Sequence, residues 1–335
     1  MRLNSTQIEA LKKNIQNGYV KETEHPTLPL KIFNYTPKAQ FENEWNPITR
    51  MCRGLVLDDD YNIIIKCPEK FFNVGEPLAA KVDLLNARIT EKNDGYYISI
   101  KLDPDYGLIV TSRGSFSNQY VDAAKAFITD SVLLGLGKNT YFCELCQDFA
   151  GDEAIILTKH PIPRLVCWGV KDENHHEFFP DEECPFERTR VMSFVEAKSY
   201  LESKVEGVVA QDPLTFERVK LKTDWYLTHH RILADCTKKR VWELLSQGQT
   251  VENLDIPDEF MKQMQEWQTE LRLAYELEIT RVGKLCERTE HLADKELALS
   301  DRFTPETKSM MFAVRKKGEQ AVAPLIWKKL KKWYN

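Results

Sequence analysis

The residues of this 335-residue chain that could do chemistry are charged groups set inside apolar runs. The first is Lys92-Asn93-Asp94-Gly95: a lysine, one free position, an acid and a glycine, with Glu91 just before. Alone it is weak, because most lysines are solvated and Asn-Asp-Gly is also a good hairpin turn. Downstream, Glu144 closes the run Tyr141-Phe142-Cys143-Glu144, and Glu206 sits between Val205 and Gly207-Val208-Val209-Ala210. An acid in so apolar a run needs a partner, which a metal ion, a ligand hydroxyl or a neighbouring lysine would supply. Lys220 and Lys222 are two apart in Arg218-Val219-Lys220-Leu221-Lys222, so on a strand their side chains leave the same face. A half-exposed strand face alternates in the same way. Two ammonium groups side by side nevertheless repel unless an anion lies between them, and a polyphosphate would do so. Arg53 and Lys70 are two more cations in apolar surroundings. Five cations and two acids on a rigid sheet suit one task, holding a nucleoside triphosphate and its magnesium against a nucleophile.

These residues need strands to position them. Apolar runs predict strands at 30–35, 51–57, 63–66, 87–91, 96–102, 108–111, 141–146, 154–157, 165–170, 205–210 and 218–222. Helical spacing predicts helices at 5–18, capped by Ser5, at 119–135 and at 194–202. After about residue 238 the strand signals thin out, and Phe260, Met264, Trp267, Leu271 and Tyr275 recur at helical spacing. The expected architecture is α+β: a domain over 1–238 built on antiparallel sheets, followed by an all-α domain over 239–335.

The apolar fraction of 42% is that of a globular protein, and the net charge of −5 does not advertise nucleic-acid binding. A basic groove can still sit on an acidic protein. No run of about 18 apolar residues occurs, and the N-terminus opens into polar sequence, so a cytoplasmic protein with no membrane contact is expected. Eight scattered cysteines suit a reduced compartment. Cys143 and Cys146 form a Cys-x-x-Cys, but residues three apart on a strand face opposite ways and cannot share a zinc ion there.

The order of the charged motifs resembles that of the covalent nucleotidyltransferases, the polynucleotide ligases and RNA capping enzymes. Lys92 to Gly95 matches their first motif, Glu144 the third, Glu206-Gly207-Val208-Val209 the fourth and Lys220-Leu221-Lys222 the fifth. More narrowly, Cys52-Arg53-Gly54, Glu69-Lys70-Phe71-Phe72-Asn73, Ser112-Arg113-Gly114-Ser115 and Lys222-Thr223-Asp224-Trp225-Tyr226 resemble the bacteriophage RNA ligase 1 family of tRNA-repair enzymes. The resemblance spans about residues 30–230. It implies an ATP-grasp-like ligase fold and an ATP- and Mg²⁺- (or Mn²⁺-) dependent joining of 5′-phosphate and 3′-hydroxyl RNA ends through a lysyl-AMP intermediate on Lys92. By the same resemblance Tyr35, Arg53, Lys70, Glu91 and Arg113 line the ATP site, and Lys220 and Lys222 hold its phosphates. Glu144 meets the ribose or the metal waters, Glu206 the metal, and Tyr226 matches a position needed for activity. Arg113 stands where the family usually has a lysine, which keeps the charge but not the geometry. A monomer acting on RNA, with tRNA as one candidate, in a bacterium or a phage-infected host is the corresponding expectation.

A lysine at its ordinary pKa is almost wholly protonated at neutral pH and cannot attack. Nearby cations (Lys222, Arg53, magnesium) are expected to lower the pKa of Lys92, and Asp94, which pulls the other way, is assigned to orientation. DNA ligases and capping enzymes usually continue into a small β-barrel, whereas helical sequence follows here, which favours RNA ligase over those two. A capping guanylyltransferase, a DNA ligase or a non-catalytic RNA-binding relative are the alternatives. Glu252 lies near a position where relatives place an acid on a second metal, but the local match is poor and an ordinary helix-start glutamate is the better reading of the residues alone. The stretch from Arg315-Lys316-Lys317 through Lys328-Lys329-Leu330-Lys331-Lys332-Trp333-Tyr334 interleaves cations and aromatics, fitting either RNA phosphates or a solvated helix face.

Overall fold

Strands buried along most of their length fold the N-terminal two thirds of the chain into three sheets. The computed structural model describes every residue except 150–155, 255–257 and 334–335. By contacts the chain divides into two compact units, Met1–Leu227 and Thr228–Asn335.

In the first unit, Val20–Glu24, Leu30–Tyr35, Arg53–Asp58 and Ile63–Ile65 form an antiparallel sheet in chain order. The second sheet runs Glu177–Phe178, Arg164–Lys171, Thr140–Cys146, Tyr96–Asp103, Gly107–Ser112, with Glu187–Arg188 added in parallel to Arg164–Lys171. The third runs Val191–Met192, Arg88–Lys92, Gly207–Gln211, Arg218–Lys222, Phe72–Asn73, its last pair parallel. Leu30, Ile32, Val56 and Ile65 of the first sheet share a core with Tyr97, Ile109 and Phe142 of the second. Ile98, Ile100, Cys143 and Leu145 face the other way, against the helices Gln119–Lys125 and Asp130–Gly135. Each such fully buried aliphatic or aromatic side chain contributes about 1.5–3 kcal/mol, so alternation along the central strands fixes both sheet faces. The third sheet packs Ile89, Val208, Ala210 and Val219 against Met192 and Ala197. This sheet carries Lys92, Lys220 and Lys222, with Glu206 just before its strand Gly207–Gln211, whereas Glu144 lies on the second sheet and Arg53 on the first. The expected fold class, an α+β unit on antiparallel and mixed sheets with helices in the C-terminal part, is borne out.

Local departures have local causes. The first helix is Ser5–Gln16, and Asn4, not Ser5, caps it, reciprocally with Gln7. Met51 ends the short helix Pro47–Met51 instead of opening a strand, because Asn46 and Pro47 start a helix just before it. The helix expected over 119–135 is two, since Phe127 and Ile128 turn into the core and Thr129 caps a new start. Val20–Glu24, a polar edge strand with one buried side chain, escaped the pattern. Of the strand expected at 154–157, residues 154–155 lie outside the described residues and 156–157 are not strand; the Leu157 N–H donates to a carboxylate instead.

The second unit is helical: beside the greater part of Asp224–Asp235, which begins in the first unit, Lys238–Ser246, Asp258–Arg288, Asp294–Leu299, Pro305–Lys317 and Ala323–Leu330 are its α-helices among the described residues. Val241, Leu244, Met264 and Leu271 form one core there, and Val282, Met310, Met311, Ile326 and Leu330 another. No helix among the described residues is long and apolar enough to cross a membrane.

Candidate active site

Three strands of the third sheet lie abreast and set the floor of a cleft. In register, Lys92 is opposite Gly207 and Gly207 opposite Lys222; two residues along, Thr90, Val209 and Lys220 form the next row on the same face. The hairpin that brings Gly207–Gln211 and Arg218–Lys222 together is closed by Asp212, whose carboxylate accepts the Leu214 and Thr215 N–H groups. Gly207 must be glycine: its φ is +149°, and a Cβ there would stand 2.0 Å from the Leu221 carbonyl oxygen. That close approach seats Glu206, one residue earlier, between the two lysines. Its carboxylate is 2.8 Å from Lys92 Nζ through one oxygen and 2.8 Å from Lys222 Nζ through the other, and the residue is 5% exposed. Burial pushes Glu206 up, but Lys92 and Lys222 outweigh it and hold its carboxyl below the usual range.

The segment Asn93-Asp94-Gly95 is not a hairpin. Arg88–Lys92 pairs with Gly207–Gln211 and Val191–Met192, whereas Tyr96–Asp103 pairs with Gly107–Ser112 and Thr140–Cys146. The three residues carry the chain from one sheet to another. A Cβ on Gly95 would meet the Leu145 carbonyl oxygen at 2.6 Å, so only glycine lets the crossing pass this close to Thr140–Cys146. Asp94 is buried, and it is not among the residues lining the cleft. One carboxylate oxygen accepts the Leu157 and Thr158 N–H groups at 2.7 and 2.9 Å, the other the Tyr226 hydroxyl at 3.0 Å. Its backbone carbonyl is bonded to the ring of His160 at 2.5 Å. Asp94 and Tyr226 thus buttress the lysine from behind, and the Tyr226 ring lies 4.4 Å from Lys222 Nζ.

The walls come from the other two sheets. Register puts Glu144 beside Tyr97. Tyr35, Arg53, Lys70, Glu91, Arg113, Glu144, Glu206, Lys220 and Lys222 line one cleft of about 620 Å³ with Lys92. Lys70 Nζ lies 4.8–5.5 Å from the rings of Tyr35, Trp45 and Phe72. The Arg53 guanidinium lies over Tyr97 and Phe71, and its Nη1 is buried with no hydrogen-bond partner among the described residues. Arg113 donates to the Tyr35 hydroxyl at 3.4 Å.

Electrostatically the cleft is poised for an anion. Burial, reinforced by Lys70, Lys92, Lys222 and Arg53, brings Lys220 down to about 7. Burial raises Glu144 to about 7, against the pull of Lys92 and with the push of Glu206. Lys92 corrects the sequence reading, which expected its pKa to fall. Burial does lower it, but Glu206, Glu144 and Asp94 together outweigh burial and the cations, and the pKa is raised. An ammonium 2.8 Å from a carboxylate feels that carboxylate before any cation farther off.

Sequence reasoning missed Asn34, Trp168, Gln211 and Arg218, which also line the cleft. Arg218 had a signal: it extends the Lys-x-Lys alternation by one step. It is paired with Glu177, which also accepts from Gln211. Trp168 had none, as its strand is apolar on both faces. Glu252 lies in the second unit, exposed, in the short 3-10 turn Val251–Asn253, where it accepts from Gln268 at 2.6 Å. That is the helix-start reading. Arg315 and Lys329 of the basic stretch pair with Asp294 and Glu278, and Tyr334 lies outside the described residues.

Residues 51–183 match the family model described as RNA ligase. No curated protein matches the chain. The similar solved structures include forms 1 and 2 of an archaeal ATP-dependent RNA ligase. Form 1 is 13% identical with a TM-score of 0.50, form 2 is 14% identical with a TM-score of 0.51, and each alignment covers 78% of this chain and 75% of that one. At such identities the likeness is one of fold. The resemblance to RNA ligases read in the sequence thus stands over the matched residues.

Proposed function

We propose that this chain is an ATP-dependent RNA ligase that joins 5′-phosphate and 3′-hydroxyl ends through a lysyl-AMP intermediate on Lys92. The observation that carries the reading is the placement of Lys92 beside Lys222 and Glu206, in a cleft whose remaining cations have room for a polyphosphate. The match of residues 51–183 to RNA ligase supports it.

In the first step Lys92 Nζ, having lost its proton, attacks the α-phosphorus of ATP. The N–P bond forms, the bond to the β-phosphate breaks and pyrophosphate leaves. In the second, a 5′-phosphate oxygen of the RNA takes the adenylyl group and the lysine is released. In the third, an RNA 3′-hydroxyl attacks that 5′-phosphate, loses its proton and expels AMP. Lys220, with no carboxylate paired to it among the described residues, is assigned to the phosphates with Arg53 and Lys70. Asp94 holds the Lys92 segment in place through its three accepted hydrogen bonds.

A divalent cation fits the donor set. Glu206 and Glu144 are two carboxylates in one cleft, and magnesium commonly takes one or two carboxylates and fills the rest of its shell with waters and substrate phosphates. When bound it would neutralise charge on the phosphates. In the resting arrangement Glu206 holds the Lys92 proton, so the amine becomes nucleophilic once that carboxylate's charge is engaged elsewhere.

The test is transfer of label from α-labelled ATP to the protein. Wild type acquires label with ATP and not GTP, and Lys92→Ala acquires none; label retained by Lys92→Ala would refute the reading. A panel of labelled 5′-phosphate RNA and DNA strands, tRNA breaks among them, then identifies the ends that are joined.

A further inference from the structure

The helical unit has a hollow of its own, of about 560 Å³, between the end of Lys238–Ser246 and one face of Ala323–Leu330. Trp242, Leu245, Pro324 and Trp327 supply its apolar wall, Lys328 and Lys331 its charge, and no acid among the described residues lines it. The volume is within the range of small-ligand sites. Its aromatic wall is fixed in advance. The Trp242 indole N–H donates to the Trp327 carbonyl at 2.9 Å, and the Trp327 ring stacks on Tyr275 with centroids 4.9 Å apart and 20° between planes. Neither indole needs to be ordered by a ligand.

The two lysines differ from Lys329 and Arg315 of the same basic stretch. Lys329 is 2.6 Å from Glu278, and Arg315 is tied to Asp294. Lys328 and Lys331 are exposed and make no ion pair with the described residues. The basic, aromatic-laced C-terminal stretch is therefore divided: some cations brace the helices, and these two stand at the rim of an aromatic pocket.

We infer that this hollow takes one base of a single-stranded RNA, with Lys328 and Lys331 on the flanking phosphates. The inference rests on the RNA ligase reading for its choice of strand and adds a site for it outside the nucleotide cleft. Two indoles held in place line the hollow, Trp327 with one face already on Tyr275, and aromatic side chains beside cations are the pattern of sequence-tolerant single-strand binding. An acidic peptide would use the lysines and leave the indoles idle.

The experiment measures anisotropy of a labelled single-stranded RNA on the full chain across a salt series, for wild type and the double variant Lys328→Ala/Lys331→Ala. Both positions are exposed, so the variant folds. The expected result is about tenfold weaker binding at low salt, and a slope of log affinity against log salt shallower by about 1.4, or about 0.7 per lost phosphate contact. RNA carrying 5-iodouridine should crosslink to Trp242 or Trp327. Unchanged affinity and slope, crosslinks confined to other residues, or polyglutamate binding as tightly as RNA would each overturn the inference. Self-adenylylation is measured alongside: its absence in wild type sinks the ligase reading, whereas a self-adenylylating protein with unchanged RNA binding in the variant sinks only this site.

Discussion

The Tyr226 hydroxyl donates to Asp94 Oδ1 at 3.0 Å, joining two buried residues 132 positions apart. Because Asp94 follows Lys92 by two residues, the bond ties the lysine to the start of the helix Asp224–Asp235. Tyr226→Phe removes the donor and leaves that oxygen buried and short of a partner, at a cost of about 1–3 kcal/mol. The expected outcome is a lower thermal midpoint and self-adenylylation slowed about tenfold, with the KM for ATP little changed because Tyr226 does not line the cleft. A rate equal to that of wild type would mean that the buttress has no part in placing Lys92.

The Lys92–Glu206–Lys222 arrangement makes stability depend on pH. Glu206 has a lowered pKa in the folded chain, so its contribution is present above the ordinary carboxylate value of about 4.5 and is lost as pH falls through the folded value. Lys92 has a raised pKa, so its contribution is present below about 10.5 and lost as pH rises through the folded value. Glu206→Gln should cost about 2 kcal/mol between those limits, less than a fully buried pair, because the lysines are 22% and 19% exposed. Thermal midpoints recorded against pH should converge for wild type and variant in acid. In the variant, Lys92 should also react faster with an amine-directed reagent at neutral pH.

Lys220, at about 7, is largely neutral in the free protein at pH 8. A triphosphate beside it favours the ammonium, so ATP binding at that pH should take up close to one proton, and ATP affinity should fall as pH rises above 7. Calorimetry in buffers of different ionisation enthalpy reads the uptake directly. Lys220→Met should bind ATP more weakly and show none of the uptake assigned to this group. Equal uptake in both proteins would move the titration to another residue.

The charged motifs were legible because a strand's two-residue period fixes which side chains share a face: Lys220 and Lys222 follow from spacing alone. That Lys92 and Lys222 meet across Gly207 depends on the strand order Arg88–Lys92, Gly207–Gln211, Arg218–Lys222, which no local pattern specifies. For the same reason Asn93-Asp94-Gly95 read equally as a hairpin and as a crossing between sheets, since the turn chemistry is common to both. The sign of the Lys92 shift was out of reach, because a difference of a few ångströms decides whether Glu206 or the cations prevail. The edge strand Val20–Glu24 was invisible because four of its five side chains face outward or are only partly covered.

Gly95 and Gly207 test whether backbone approach positions the site. A methyl group at 207 would stand 2.0 Å from the Leu221 carbonyl oxygen and 2.8 Å from the Lys222 Cα, both backbone atoms that cannot turn aside. At 95 it would stand 2.6 Å from the Leu145 carbonyl oxygen and 3.0 Å from Glu144 Cγ. Overpacking of this kind costs about 1–3 kcal/mol, and the positive φ at 207 adds strain. Gly207→Ala should therefore be the worse, parting the two strands at the row that holds Lys92 and Lys222, while Gly95→Ala displaces Lys92 relative to Glu144. Gly114→Ala is the control: it also lies in the cleft, but its added methyl would meet Asn34 at an ordinary 3.5 Å. The expected order of self-adenylylation rates is Gly114→Ala near wild type, Gly95→Ala reduced at least tenfold and Gly207→Ala lowest, with thermal midpoints falling in the same order. Full activity in Gly207→Ala would show that the lysine row tolerates a wider strand spacing than this geometry requires.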